Sequence, residues 1–284
     1  MKKKIGFIDL HIDEWHANNY PAWFRGCRNF GDYELGYAWE ESPNPAGKDL
    51  KAWCAEFGMT PAAGIEEVIA NSDALCVLAP SNPEAHERLA DLALRSGKPL
   101  YIDKTFAPDR ATAERFFAIA EQHGTPLMSS SALRYGAELM AELAGKYATE
   151  KPDYVTTFGG GGSFEEYSIH QIEMIVSALG TGAKSVTRIP DCGTERYNVE
   201  YADGKRCAAM SYSPFSGFSA VLSGTKGVTH VTGASGMFET LLEQILDFYT
   251  TGRSPIAKEE TIEVAAIREA ALKAQAEPGR TFAV

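Results

Sequence analysis

Lys104 stands directly after a short apolar run, residues 100–102, and an acid, Asp103. In parallel α/β sheets ligands collect outside the carboxyl ends of strands, so a lysine there is a candidate to orient a reacting oxygen or relay its proton. Position alone fits a solvated loop lysine equally well. A second pair supports the chemical reading. At about 100° per residue, a helix drawn over 166–180 puts Ile169, Ile172, Ile175, Val176 and Leu179 on one arc and Glu166, His170, Glu173 and Ser177 on a polar stripe opposite. A carboxylate and an imidazole four residues apart thus share one face. Histidine titrates near neutral pH unaided, which suits general acid–base work, whereas a lysine needs a lowered pKa to act as a base. The plain alternative is a solvated polar face.

A third group follows the first apolar run, residues 5–8. Asp9, His11, Asp13, Glu14 and His16 crowd one loop with oxygen and nitrogen donors. Such a cluster at a strand end suggests a metal-assisted lyase or hydrolase. Histidines at later strand ends, which a hydrolase barrel needs, are missing from the pattern, so no metal ligands are assigned. Trp15, Asn18, Asn19, Tyr20 and Trp23 beside that loop suit a sugar or polyol rim, or plain helix packing. Arg134 and Tyr135 are further candidates to line a ligand cleft.

The elements that must position these residues alternate in the first half. Strands are expected at 5–8, 35–39, 74–78, 100–102 and 127–128, and helices at 21–28, 48–57, 65–70, 83–96 and 109–123. That rhythm is the mark of a parallel sheet with helices on its faces. Beyond residue 130 strands follow one another at 154–158, 186–189, 197–201, 207–212, 219–223 and 228–232, before late helices at 238–249 and 261–276. The fold class is therefore α/β: a Rossmann-type, doubly wound parallel sheet in a first domain, 1–130, and an α+β domain with a mostly antiparallel or mixed sheet in a second, 131–284. The glycines at 159–162 read as a flexible loop or a place of close ligand approach. Glu40, ending the second strand, stands where such folds bind a ribose, and a carboxylate there favours NAD over NADP.

The segment from Asp73 through Pro80 and Asn82, with His86 four residues on, and then Gly97-Lys98-Pro99 leading to Asp103-Lys104-Thr105, resembles the Gfo/Idh/MocA family of oxidoreductases. Its Glu-Lys-Pro signature appears here as Asp103-Lys104-Thr105, and its Asp-x-Gly-x-His signature as Glu166-Tyr167-Ser168-Ile169-His170. The resemblance implies an NAD(P)-dependent oxidoreductase acting on a carbohydrate or polyol hydroxyl. Lys104 would orient the reacting oxygen, His170 would be the general acid or base, and Glu166 would position it. Cofactor contacts are then expected from Asp9, His11, Glu40, Pro80, Asn82, His86 and Asp103. One departure stands out. The first loop should read Gly-x-Gly-x-x-Gly, and it reads Asp9-Leu10-His11-Ile12-Asp13-Glu14. A carboxylate about 4 Å from a phosphate charge costs on the order of 1–4 kcal/mol, so a member that has lost the dinucleotide and only binds sugar is a third reading.

Composition limits the partners. The 284 residues carry a formal charge of −11 with 44% hydrophobic and 23% charged residues. Such an acidic surface disfavours nucleic acid and anionic membranes, which leaves small molecules. Cys27, Cys54, Cys76, Cys192 and Cys207 show no paired spacing, and a cytoplasmic location is expected. An exposed sheet face in the second domain points to a homodimer or homotetramer.

Overall fold

The computed structural model describes residues 2–190, 194–214 and 217–284; Cys192 lies outside them. The chain divides into two units, Met1–Ser129 with Phe238–Ala257, and Ser130–Met237 with Lys258–Val284.

In the first unit β1 (Lys3–Asp9), α1 (Trp15–Gly26), β2 (Tyr33–Glu40), α2 (Leu50–Phe57), β3 (Thr60–Pro61), α3 (Ile65–Ala70), β4 (Ala74–Val77), α4 (Pro83–Leu94), β5 (Leu100–Ile102), α5 (Arg110–His123) and β6 (Leu127–Met128) follow in order. The six strands are parallel and ordered β3-β2-β1-β4-β5-β6. The order reverses between β1 and β4, which makes their carboxyl ends the switch point where a crevice opens. Every residue of β4, β5 and β6 is buried. Continuous apolar runs replace alternation because helices cover both faces. Gly6 is fixed by packing: a Cβ there would lie 2.4 Å from Ser72 Oγ and 2.6 Å from Val68 Cγ1. Asp109 caps α5 by accepting from Thr112 N at 2.7 Å, and Gly124 closes it with a left-handed φ of 66°.

The first helix begins at Trp15, well before the start at 21 that Pro21 suggests. Glu14 caps it, so Pro21 falls inside the helix.

The second unit contains α6 (Ala137–Ala144), β7 (Tyr154–Gly159), α7 (Phe164–Leu179), β8 (Ala183–Arg188), β9 (Glu195–Tyr201), β10 (Cys207–Tyr212), β11 (Ser219–Gly224) and β12 (Gly227–Val231). After α8 (Met237–Thr251) come α9 (Lys258–Ala276) and β13 (Thr281–Ala283). Seven strands form one mixed sheet, β12-β11-β7-β10-β9-β8-β13, in which only β7 and β10 run parallel. Buried positions alternate along β9 and β10, so one face is covered and the other is open. Ile172, Ile175, Tyr197, Met210, Leu222 and Ile267 are fully buried in this core. Gln171, also fully buried, ties α7 to the sheet by accepting from Thr157 Oγ1 at 2.9 Å and donating to Gly159 O at 3.0 Å.

Three expectations are corrected here. The helix expected at 238–249 does not continue the second domain, because from Phe238 onward α8 packs with the first unit. Tyr249 OH donates to Leu75 O at 2.8 Å, and Glu243 accepts from Arg28 N at 2.8 Å. The glycines at 159–162 answer to their own unit: a Cβ on Gly160 would lie 2.1 Å from Ser213 O, and one on Gly161 2.3 Å from the Tyr167 ring. The polar stripe of α7 is not a solvated face, because Glu173 is buried.

Candidate functional site

At the switch point the first loop is held by its own acids. Asp9, 1% exposed, ends β1 and accepts from Leu10 N at 2.6 Å and His11 N at 3.4 Å through Oδ1. Its Oδ2 is buried and has no hydrogen-bond partner among the described residues. Glu40, the register partner of Asp9 across β1 and β2, accepts from Ile12 N at 3.0 Å. Glu14 accepts from His16 N at 2.8 Å and from Ala17 N, the amides that open α1. Burial pushes the Asp9 carboxyl well above its usual range and the Glu14 charge adds to that; burial raises Glu14 and Glu40 as well.

Asp9, His11, Glu14, Pro80 and Asn82 line a cleft of about 70 Å³ here. This is far below the roughly 300 Å³ at which small-molecule sites begin. A glycine-rich loop would offer free amides to a pyrophosphate. This loop has given those amides to carboxylates, and a dinucleotide's pyrophosphate does not fit it as it stands. Ala79 borders the cleft with a φ of 65°, a left-handed conformation that costs a residue with a Cβ about 1–2 kcal/mol.

The structure reassigns several expected cofactor contacts. Glu40 is turned inward to the loop rather than outward to a ribose. His86 is fully buried, with Nδ1 3.0 Å from Phe106 O and Nε2 against Leu78 O. It bridges two backbone segments of the core, and burial lowers its pKa. His11 Nδ1 lies 2.7 Å from Ser42 O. Pro80 and Asn82 do line the cleft.

The donors of this loop that suggest a metal do not converge on one point. Asp13 accepts from Asn18 Nδ2 and Lys48 N, both at 2.7 Å, while His16 turns to Asp103. With Asp9 on its own loop and His11 on Ser42, the donors point to separate partners. No cluster of three such side chains able to hold a metal occurs among the described residues.

Asp103 is the hub the sequence did not reveal. It is fully buried and accepts from His16 Nδ1, Tyr20 OH (3.2 Å), Tyr101 OH (3.0 Å) and Lys104 N (2.8 Å). Burial alone would raise its pKa, but His16 and Lys104 outweigh burial and hold the carboxyl below its usual range. Lys104 is itself buried, with Nζ 3.5 Å from Pro80 O. The expected role of Asp103 as a cofactor contact gives way to holding His16. Only pairing across 87 positions discloses that link, and the sequence carries no local signal for it.

The aromatic rim divides. Tyr20 is buried on Asp103, and Trp23 stacks on Phe238 with centroids 4.6 Å apart. Asn18 accepts from Trp53 Nε1 at 2.7 Å, and Asn19 donates to Trp15 O. Trp15 packs on Trp23 and Phe238, with ring centroids 5.6 and 5.1 Å away, and is 55% exposed.

In the second unit His170 Nδ1 lies 2.7 Å from Ser131 Oγ, with the Tyr167 and Phe218 rings 5.9 and 5.2 Å away. Ser131 precedes a 3-10 turn, Ala132–Tyr135. Glu166 lies one turn before His170 in the first turn of α7, its amide on the capping Ser163 Oγ at 3.2 Å. Arg134, a candidate to line a ligand cleft, is held inside its own unit. It is clamped between Glu173 (2.6 Å) and Glu260 (2.7 Å), which raise its pKa against the cost of burial. Ser130 Oγ joins the cluster by donating to Glu173 at 3.1 Å.

No family model matches the chain. A curated relative, the dTDP-3,4-didehydro-2,6-dideoxy-alpha-D-glucose 3-reductase of Actinomadura kijaniata, is 34% identical over 80 residues, which span 28% of this chain and 24% of that protein. Solved structures match end to end. GenD2 from gentamicin A biosynthesis, in complex with NAD, superposes with a TM-score of 0.81 at 15% identity over 100% of this chain and 96% of its own. A putative myo-inositol dehydrogenase from Sinorhizobium meliloti 1021 gives 0.78 at 16% identity over all of both chains. A probable dehydrogenase from Thermotoga maritima gives 0.80 at 14% identity over 99% and 98%. The chain shares the two-unit fold of these proteins, which is the fold that the resemblance to the Gfo/Idh/MocA family implies.

Proposed function

We propose that the protein is an oxidoreductase acting on a CH–OH group of a carbohydrate or polyol, with a nicotinamide dinucleotide as redox partner. The observation that carries this reading is Lys104: a buried lysine at the carboxyl end of β5, in the sheet order of dinucleotide-binding folds. The fold shared with dehydrogenases, one of them in complex with NAD, supports it, as does the similarity to a sugar reductase.

In this reading Lys104 is the group that orients a reacting oxygen, and His170 is the group that exchanges a proton, with Ser131 fixing its ring and Glu166 tuning it. Conversion of an alcohol to a carbonyl releases a hydroxyl proton, and an imidazole suits that transfer near neutral pH. The open face of the second sheet, where Tyr154, Phe158 and Val228 are 40%, 41% and 56% exposed, suits a homodimer or homotetramer. Cys27, Cys54, Cys76 and Cys207 are free thiols, in keeping with a cytoplasmic protein. Among the described residues no helix is long and apolar enough to cross a membrane.

One observation favours a second reading. The loop acids occupy the amides a pyrophosphate would use, as expected of a sugar-binding member without redox chemistry. Calorimetric titration with NADH and then NADPH separates the two: saturable binding supports the oxidoreductase, and none with folded protein supports the second reading.

A further inference from the structure

We infer that Glu14 is a tethered competitor of the cofactor's pyrophosphate, a side chain that sets how tightly this protein takes a dinucleotide. The inference rests on the oxidoreductase reading. Two independent observations carry it. The Glu14 carboxylate caps α1 from its own loop, accepting from His16 N at 2.8 Å and from Ala17 N. These are the donors that the amino end of a helix offers to an anion. Beside it Asp9, 1% exposed and a co-liner of the same cleft, has a buried Oδ2 with no hydrogen-bond partner among the described residues. A buried carboxylate oxygen normally finds a donor, and this one lies sealed off in a residue that lines the cleft.

The loop therefore carries its own anion in the anion position. A phosphate arriving there meets amides already engaged and a second acid behind them. Binding requires the Glu14 side chain to swing off the helix end and leave His16 N and Ala17 N to the incoming oxygens. The main chain need not move for this. Asn18 N is already bonded to Glu14 O at 2.9 Å, so the first helical turn stays closed when the side chain leaves. The competition is intramolecular, and its effective concentration is high because the side chain is attached next to its target. Affinity for a dinucleotide is then weak in the native protein and is restored by removing the tethered anion.

The test is calorimetric titration of the full chain with NADH, native against Glu14→Ala and Glu14→Gln, with circular dichroism to show that each is folded. Glu14→Gln keeps an acceptor for the helix amides and so guards against loss of the cap. The inference predicts that Glu14→Ala tightens the dissociation constant at least tenfold and Glu14→Gln by less. An equal or weaker constant in Glu14→Ala, with native protein binding well, overturns the inference and leaves the oxidoreductase reading intact. No binding to native or either variant overturns that reading, and the inference with it.

Discussion

Asp103, at the carboxyl end of β5, accepts a hydrogen bond from His16 Nδ1 at the start of α1, and the pair is almost wholly buried. The acid that stands before the candidate lysine thus serves an imidazole from the first loop. Tyr20, Tyr101 and the Lys104 amide complete its shell.

Replacing Asp103 by Asn removes the carboxylate that His16 Nδ1, Tyr20 OH, Tyr101 OH and the Lys104 amide share. Leaving buried hydrogen-bond donors without their acceptor costs about 1–3 kcal/mol, and a loss of at least this size is expected at pH 7 in urea unfolding. The folded-state pKa of Asp103 is depressed. Its contribution is present above the unfolded carboxylate value, about 3.9, and vanishes as pH falls through the folded value. The native and Asp103→Asn curves should therefore converge in acid, and a gap that widened there would refute the assignment.

Asp9 behaves in the opposite sense. Burial and Glu14 raise its folded pKa. Its contribution is full below the unfolded value and is lost as pH rises through the folded one. Asp9→Asn removes the charge without changing the shape, so the variant should melt above the native protein at pH 8, by about 1–3 kcal/mol of relieved burial. That advantage should shrink towards pH 4. Thermal melts across this range settle the sign.

Gly6 lets α3 and the chain after it lie against β1. A methyl group there collides with Val68 and Ser72, and overpacking of this kind costs about 1–3 kcal/mol. Gly6→Ala should lose stability in that range, and adding Val68→Ala should return part of it. Additive losses in the double variant would show that the contact is not the cause.

In the second unit, Arg134→Met strips Glu173 of its cation inside the core. A loss of about 3–5 kcal/mol is expected, measured by urea unfolding. Glu260 is the more exposed partner, so Glu260→Gln should cost less than Glu173→Gln.

Much of this architecture was legible in the sequence. The caps at Asp109 and Gly124, the short buried strand 100–102 and the alternating strands beyond residue 150 follow from local rules of capping, burial and period. So does the placement of Lys104 at a strand end. What local rules cannot supply is pairing at a distance. The capture of His16 by Asp103, the return of α8 to the first unit and the burial of Glu173 on Arg134 each join residues far apart in the chain. The loop from Asp9 to Glu14 showed its missing glycines at once. Its carboxylates fold back onto the loop's own amides, a placement set by the three-dimensional fold rather than by any local rule.

The central claim is that Lys104 serves hydride chemistry on a sugar or polyol hydroxyl. It is tested most directly by incubating the protein with NAD and a panel of polyols and aldoses and following reduced nicotinamide optically, native beside Lys104→Met. The account predicts that at least one compound yields reduced cofactor with the native protein, and that Lys104→Met, folded and still binding the dinucleotide, yields none. Equal rates in the two proteins, or no reduction by native protein with the dinucleotide bound, would contradict it.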